Sequence, residues 1–279
     1  MTTLRQENKY SIDKLLLEAL MILASLLVLI PLALIILGSV KTPGEAAAFN
    51  LALPKHWVFG NYIEVIKQSN ALTAMRNSLI IVGFVDVFTI IFSSLCSFVI
   101  ARRNTRFTRF LNSYFSLGLI VPLSIIPAIV LLKYLHLLGT LHGMIILYIG
   151  LRTPWSIFLL TGFIKSVPRE MDEASIVDGC SPFKMFFSVV FPLLKPVIAT
   201  NIIIVSMGVW NDFMLPLYFL SSSEFITMPL TVYHFFGQYA SSWNLVFADL
   251  VLTALPIIIA YFYCQKYIVS GLTIGAVKG

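Results

Sequence analysis

The chain has 279 residues, of which 58% are hydrophobic and only 11% are charged, and its mean hydropathy is +0.91. Soluble domains carry about 25% charged residues, so this composition excludes an ordinary globular enzyme, a disordered chain and a disulfide-stapled secreted module. The net charge of +6 would suit a nucleic-acid partner, but the sequence contains no basic helix and no aromatic-basic array. We predict an all-α polytopic membrane protein that binds no nucleic acid and no metal.

Six apolar runs have the length of about 20 residues that a membrane-spanning helix needs. They cover residues 19–37, 79–101, 110–132, 143–164, 196–219 and 245–263. The first run extends back through Leu15, which makes it longer than the roughly 7–15 residues of a signal-peptide core. The third contains Pro122 and Pro127. The pattern predicts six transmembrane helices and no soluble domain.

Lysine and arginine are unevenly distributed among the connecting segments. If the N-terminus is inside, the inner segments hold 13 of these residues and the outer segments hold 5, while Arg152 lies within a span. Cytoplasmic loops carry the excess of lysine and arginine, so both termini are predicted to be cytoplasmic, with basic loops facing membrane lipid. The predicted segments are an N-terminal tail (1–15), a first spanning helix (16–38), an outer loop (39–76), a five-helix core (77–268) that includes an inner loop (165–195), and a C-terminal tail (269–279).

The first half of the inner loop has the pattern of a short helix. Pro168 suits a first helical turn. Three acidic residues then place negative charge near the positive end of the helix dipole; they are Glu170, Asp172 and Glu173. Gly179 follows Asp178 as the expected left-handed stop. A lone amphipathic surface helix is the simpler interpretation of this stretch.

The second half predicts another short helix. Ser181 is a suitable N-cap, and Pro182 fits the first helical position. The Phe191-Pro192 pair is expected to end this helix before the fifth span. The whole loop is therefore predicted to form a helix–glycine–helix element on the cytoplasmic face.

This loop resembles a motif of the permease subunits of ABC importers, in particular the carbohydrate class related to maltose and glycerol-phosphate permeases. Those proteins carry Glu-Ala-Ala, three residues, Gly, nine residues, and then Ile-x-Leu-Pro. Here Glu173-Ala174-Ser175 precedes Gly179, and Val189-Val190-Phe191-Pro192 follows at the same spacing. The departures are small and keep the helix pattern. Trp210-Asn211-Asp212-Phe213 and the tail at 265–279 also resemble the carbohydrate class.

The resemblance implies a type I ABC importer permease in a bacterial cytoplasmic membrane. The loop would insert into a groove on an ATPase subunit, with Glu173 as the charged contact and Gly179 allowing the sharp turn. The coupling residues that it implies are Glu173, Ala174, Ser175, Asp178, Gly179, Pro182 and Pro192. The implied partners are a second related permease, an ATPase dimer and an outer solute-binding protein. This chain has no GxxxxGK[ST] motif, so it is predicted to be non-catalytic and to bind no cofactor, with ATP and Mg²⁺ held by the ATPase.

Polar residues inside the predicted spans are candidates for the translocation path, because charges in the membrane are costly and are commonly functional. The candidates are Asp86, Arg152, Asn201, Trp210, Asn211 and Asp212. The three charged ones are expected about 10–14 Å below the outer surface, at about 1.5 Å per residue. Asp86 also begins a stripe on one helix face, which continues through Thr89, Ser93 and Ser97. Helix packing, or a structural ion pair between Asp86 and Arg152, is the alternative interpretation.

The favoured function is import of a sugar or oligosaccharide, and two alternatives remain open. One is an ABC permease for another solute, such as a polyamine, phosphate or amino acid. The other is a secondary transporter that uses Asp86 as a proton site, although this leaves the 173–192 motif unexplained.

Overall fold

The computed structural model describes the backbone of residues 2–220, 223–236 and 242–276, and the side chains of residues 14–220, 224–236 and 242–263. This part of the chain is helical, as predicted. Its α-helices are α1 (Thr2–Gly38), α2 (Pro43–Ala46), α3 (Gly60–Gln68), α4 (Ala71–Arg102), α5 (Arg106–Ile120), α6 (Ile125–Tyr134), α7 (Leu141–Ser166), α8 (Glu170–Val177), α9 (Pro182–Met185), α10 (Phe191–Leu193), α11 (Lys195–Trp210), α12 (Met214–Phe219), α13 (Met228–Thr231) and α14 (Trp243–Ala276).

Four of these helices are long and apolar enough to cross a membrane individually. They are α1 over Lys14–Gly38, α4, α7, and α14 over Trp243–Tyr263. Two bent pairs also qualify: α5 with α6, and Pro182–Leu193 with α11. The number of spans reaches the predicted six when each bent pair forms one span.

The third span differs from the continuous run expected at 110–132. The axes of α5 and α6 differ by 117°. Val121 is extended (φ −77°, ψ 116°) immediately before Pro122, as expected because a proline disfavours the α conformation of the residue before it. Pro127 lies in the first turn of α6. Backbone N–H groups in a first turn have no partner within the helix, so a proline there costs no helical hydrogen bond.

The fifth span also departs from its expected bounds of 196–219. The helix stops at Trp210 and resumes as α12 after a short break. The Asp212 carboxylate accepts a hydrogen bond from the Leu215 amide at 3.1 Å. Short polar side chains bind nearby backbone groups in this way and compete with a continuous helix.

The predicted break before the fifth span is present, but it lies at Leu194 rather than at Phe191-Pro192. The chain passes through a π-helical turn, Phe186–Val190, and then α10, and it bends by 74° beside Leu194. In a regular α-helix the proline ring clashes with the carbonyl four residues earlier. The wider π turn before Pro192 allows the chain to remain helical to Leu193.

Residues Met1–Asn70 and Val232–Leu252 form one compact unit. Asn61 is buried in this unit, and its side-chain amide donates hydrogen bonds of 2.9 Å to the carbonyls of Ser39 and Lys41. Its carbonyl oxygen accepts one of 2.9 Å from Asn244. This buried amide therefore joins the end of α1 to α3 and to the start of α14.

Residues Ala71–Thr231 and Thr253–Gly279 form the second unit, whose boundary lies at Ala71 rather than at the predicted residue 77. Here α4 packs on α7 and α11. The stripe of Thr89, Ser93 and Ser97 is fully buried, and the Ser97 hydroxyl donates to the Ile157 carbonyl at 3.1 Å. This contact supports the packing interpretation for Ser97. The predicted tail at 269–279 continues α14 to Ala276, and its last three residues lie outside the described part.

Candidate functional site

The 165–195 loop begins with α8, which carries Glu170, Asp172 and Glu173 in its first turn as predicted. The helix begins at Glu170, so Pro168 precedes it rather than lying within its first turn. It ends at Val177 with Asp178 as its C-cap, and Gly179 has a φ of +74°. This left-handed conformation suits glycine because it has no Cβ, and the predicted stop is confirmed.

The second helical segment also begins as predicted. The Ser181 hydroxyl accepts a hydrogen bond of 3.4 Å from the Lys184 amide, and Pro182 is in the first position. One side of this segment is buried against α7 in an apolar cluster that includes Phe186, Val190 and Leu160. The loop is thus packed onto the bundle by its second helix.

The outer face of α8 combines one acidic group with apolar side chains. Glu173, Ala174 and Asp178 are exposed, whereas Ser175 is buried and donates to the Met171 carbonyl at 2.8 Å. Val177 is 88% exposed and Phe183 is 71% exposed. Contiguous exposed apolar groups of this kind mark interaction surfaces.

The inner face of α8 contains an interaction that the sequence analysis missed. The Nε atom of Arg102, the last residue of α4, lies 2.6 Å from an Asp172 carboxylate oxygen. Arg102 also donates to the Val167 carbonyl at 3.1 Å. A groove of about 650 Å³ lies alongside, lined by Phe98, Arg102, Asp172, Glu173, Ile176 and Phe183. Arg102 and Asp172 are 70 residues apart, so no local pattern could have revealed the pair.

Asp86 and Arg152 have separate partners. Asp86 lies midway along α4 and accepts a hydrogen bond from the Ser206 hydroxyl of α11. Arg152 of α7 donates to the Gly208 carbonyl at 2.8 Å. The suggested Asp86–Arg152 ion pair is therefore not formed, because the two groups bond to different residues of α11, Ser206 and Gly208.

Two further candidates connect helices. The Asn201 side chain is fully buried and exchanges hydrogen bonds of 3.0 and 3.1 Å with Ser156 of α7. The Trp210 indole donates to the Thr253 carbonyl at 3.1 Å. These contacts are typical of helix packing, and a role of either residue in substrate passage stays a prediction.

The last two candidates lie in the break between α11 and α12. Asn211 is exposed, and Asp212 caps the start of α12 through the Leu215 amide. Asp212 and Arg152 both interact electrostatically with the buried Tyr148 hydroxyl. The structure therefore brings Arg152 and Asp212 close to one tyrosine, while Asp86 stands apart with Ser206.

A cavity of about 180 Å³ lies between α4, α11 and the middle of α14. Its lining includes Leu79, Ile203, Ser206, Met207, Trp210 and Tyr261. It combines a hydroxyl with two aromatic rings, which are groups that can contact the hydroxyls and the apolar faces of a sugar. Ser206, absent from the predicted candidates, connects this cavity to Asp86.

The chain is similar to known proteins in both sequence and fold. The family described as "Binding-protein-dependent transport system inner membrane component" matches residues 71–274. AmyC of Thermoanaerobacterium thermosulfurigenes, named a "Probable starch degradation products transport system permease protein", is 33% identical over 97% of this chain and 99% of its own length. MsmG of Streptococcus mutans, a multiple sugar-binding transport system permease protein, is 34% identical over 93% and 95% of the two chains.

A chain in the crystal structure of a bacterial ABC transporter involved in the import of the acidic polysaccharide alginate has the same fold. It superposes with a TM-score of 0.80 at 23% identity, over 92% of this chain and 96% of that chain. The predicted ABC importer permease fold is thereby confirmed. The chain belongs to the family of binding-protein-dependent transport system inner membrane components.

Proposed function

We propose that this chain forms half of the translocation path of an ATP-driven importer for a sugar or oligosaccharide. The observation that carries the proposal is the geometry of the 165–195 loop. An acidic helix ends at a left-handed glycine, and an N-capped second helix is buried against α7. Such a loop is a rigid projection whose movement must act on the helices beneath it.

The partner at this loop is an ATPase dimer. Glu173 is exposed beside Ile176 and Val177, which suits a partner groove that is apolar with a basic group. Charge complementarity of this kind fixes the register of docking. ATP and Mg²⁺ are held by the ATPase, and a second, related permease completes the pore. In this complex the present chain binds no cofactor and catalyses no reaction.

The substrate is a carbohydrate delivered by a solute-binding protein. The names of AmyC and MsmG refer to starch degradation products and multiple sugars, and the family description refers to a binding protein. The proposed path residues are Asp86, Arg152, Asn201, Trp210, Asn211 and Asp212, and we add Ser206 because its hydroxyl donates to Asp86.

In this proposal the protein spans a bacterial cytoplasmic membrane, and both termini and the 165–195 loop lie on its cytoplasmic side. Cys180, half-buried in the loop, provides a test. An impermeant thiol reagent should label Cys180 only after the cells are permeabilised, with Cys180→Ser as the background control. Labelling of Cys180 in intact cells would show that the protein has the opposite orientation.

Reconstitution tests the function itself. The chain, its partner permease and the ATPase are placed in vesicles with the solute-binding protein, and uptake of labelled oligosaccharide is measured. Uptake should require ATP and persist when a proton uncoupler is added. Uptake driven by a proton gradient alone would favour the secondary-transporter alternative, and competition by a polyamine or amino acid but by no sugar would favour another solute.

A further inference from the structure

Among the candidate spans of the described residues, α4 alone contains neither a proline nor a break. Helices α1, α7 and α14 contain Pro31, Pro154 and Pro256, and the other two spans are bent pairs. With 32 residues, α4 is about 48 Å long. A bilayer is about 40–45 Å thick including its headgroup regions, so this single unbroken helix is long enough to reach both surfaces.

One end of α4 is fixed to the 165–195 loop. Arg102 pairs with Asp172 at 2.6 Å, and these side chains are only 11% and 13% exposed. The second hydrogen bond of Arg102, to the Val167 carbonyl, fixes the direction of its guanidinium. Because breaking a pair that is largely buried strands one charge, this contact holds more firmly than a surface ion pair.

The other end of α4 is fixed to the segment at 224–228. The Asn77 side-chain amide donates to the carbonyls of Glu224 and Ile226 at 2.9 and 3.1 Å. The Ser78 hydroxyl accepts from the Met228 amide at 3.0 Å. Both side chains are buried, so this backbone segment follows any movement of the helix.

From these two attachments we infer that α4 transmits a displacement of the 165–195 loop across the membrane to the 224–228 segment. Arg102 and Asp172 act as positioning residues for this step. The inference rests on the function and orientation proposed above, in which the loop meets the ATPase. The 224–228 segment, attached near the other end of α4, then lies on the side of the solute-binding protein. A helix that bends at a proline absorbs part of a displacement, whereas α4 passes it on, together with Asp86 at its middle.

The first test breaks the Arg102 attachment in the assembled complex. Hydrolysis of ATP is measured in lipid nanodiscs with and without the loaded solute-binding protein. Arg102→Gln and Asp172→Asn should each lower the ratio of stimulated to basal hydrolysis by about tenfold, with no further loss in the double variant. The ATPase should still co-purify because Glu173 is unchanged. The charge exchange that combines Arg102→Asp with Asp172→Arg should restore most of the ratio. The matched control is Arg103→Gln, because Arg103 is an exposed neighbour of Arg102.

The second test bends the helix between intact attachments. Gly83 has no atom within 4 Å of the position that a Cβ would occupy, so a Cβ at this position contacts no other helix. Gly83→Pro should kink α4 and lower the ratio to a similar extent, whereas Gly83→Ala should leave it unchanged. Wild-type ratios in both Arg102→Gln and Gly83→Pro would overturn the inference, as would single-variant losses that the charge exchange does not rescue.

These outcomes are distinct from failure of the proposed function. That function fails if the wild-type complex shows no stimulation of ATP hydrolysis by the binding protein. Stimulation in the wild type that is unaffected by the α4 variants leaves the importer in place and removes only the role of α4.

Discussion

The 165–195 loop is shaped by interactions between residues close together in the sequence, whereas the polar residues of the membrane core interact with residues far away in the sequence. In the loop, the turn at Gly179 and the cap at Ser181 depend on residues a few positions away. In the core, Asp86 meets Ser206 across 120 residues, and Arg152 meets Gly208 across 56. Local chemistry therefore predicts the shape of the loop, whereas tertiary packing determines which partners the core charges meet.

The two regions also differ in the free-energy cost of a charge. Glu173 is solvated until a partner covers it, so its charge needs no partner within the chain and is available for docking. Asp86 must be compensated within the chain at all times, because an uncompensated charge in the membrane costs several kcal/mol. A substitution in the loop should therefore affect assembly and coupling, and one in the core should affect folding and transport together.

The largest effect is expected for Glu173→Lys. A charge-assisted contact contributes about 1.5–3 kcal/mol, and reversal adds repulsion, so ATPase co-purification or coupled uptake should fall at least about tenfold. Glu170→Lys, in the same helix turn but outside the motif, is the control. Wild-type co-purification and uptake in Glu173→Lys would show that the loop is not the docking element.

Gly179→Val should have the next largest effect. A β-branched residue at a φ of +74° is strained by about 1–3 kcal/mol, although the space around the position is open. Uptake and thermal stability of the purified complex should both decrease. Gly179→Asn, which tolerates this conformation, should retain most of both, and equal damage by the two substitutions would refute backbone strain as the cause.

Two double-mutant cycles, measured by transport and by stability, test which charged groups of the core interact. Asp86→Ala with Ser206→Ala should be non-additive by about 0.5–3 kcal/mol, because the two side chains share a hydrogen bond that either substitution removes. Asp86→Asn with Arg152→Gln should be additive to within about 0.5 kcal/mol. A large coupling in the second cycle would mean that the Asp86–Arg152 pair forms during transport.

Gly208→Ala should have the smallest effect. A Cβ at this position would lie 3.0 Å from the Arg152 guanidinium, so the arginine must shift slightly. Gly150→Ala on α7 meets open space and should be neutral or stabilising by roughly 0.5–1 kcal/mol. Thermal unfolding of the two variants in detergent measures the difference, and equal melting temperatures would contradict the close packing of Arg152.

The apolar runs predicted the spans well, but the start of α4 was misplaced. The expected start at residue 79 followed from Arg76, Asn77 and Ser78, which are polar and suggested a loop. They remain helical because Asn77 and Ser78 find backbone partners at 224–228. This shift also explains why Asp86 lies midway along its helix rather than near one end.

Within the candidate site, the sequence identified the motif but not its attachment. Asp172 was recognised as a charge near a helix start, and Arg102 as part of a basic segment. Opposite charges at the start of one helix and the end of another suit both helix dipoles, but only the packed structure shows that they meet. Ser206 was missed because a lone serine in an apolar helix is ordinary.

The exposure of α1 has a consequence for how the protein is made. Every side chain from residue 14 to residue 32 is exposed within this chain, and a helix satisfies its backbone hydrogen bonds internally. Helix α1, which leaves the ribosome before the other described spans, can therefore reside in the bilayer before they are made. By contrast, α11 needs α7 for Asn201 and Gly208. We therefore expect α1 to insert into the membrane independently, whereas α11 should insert stably only after α7 is present.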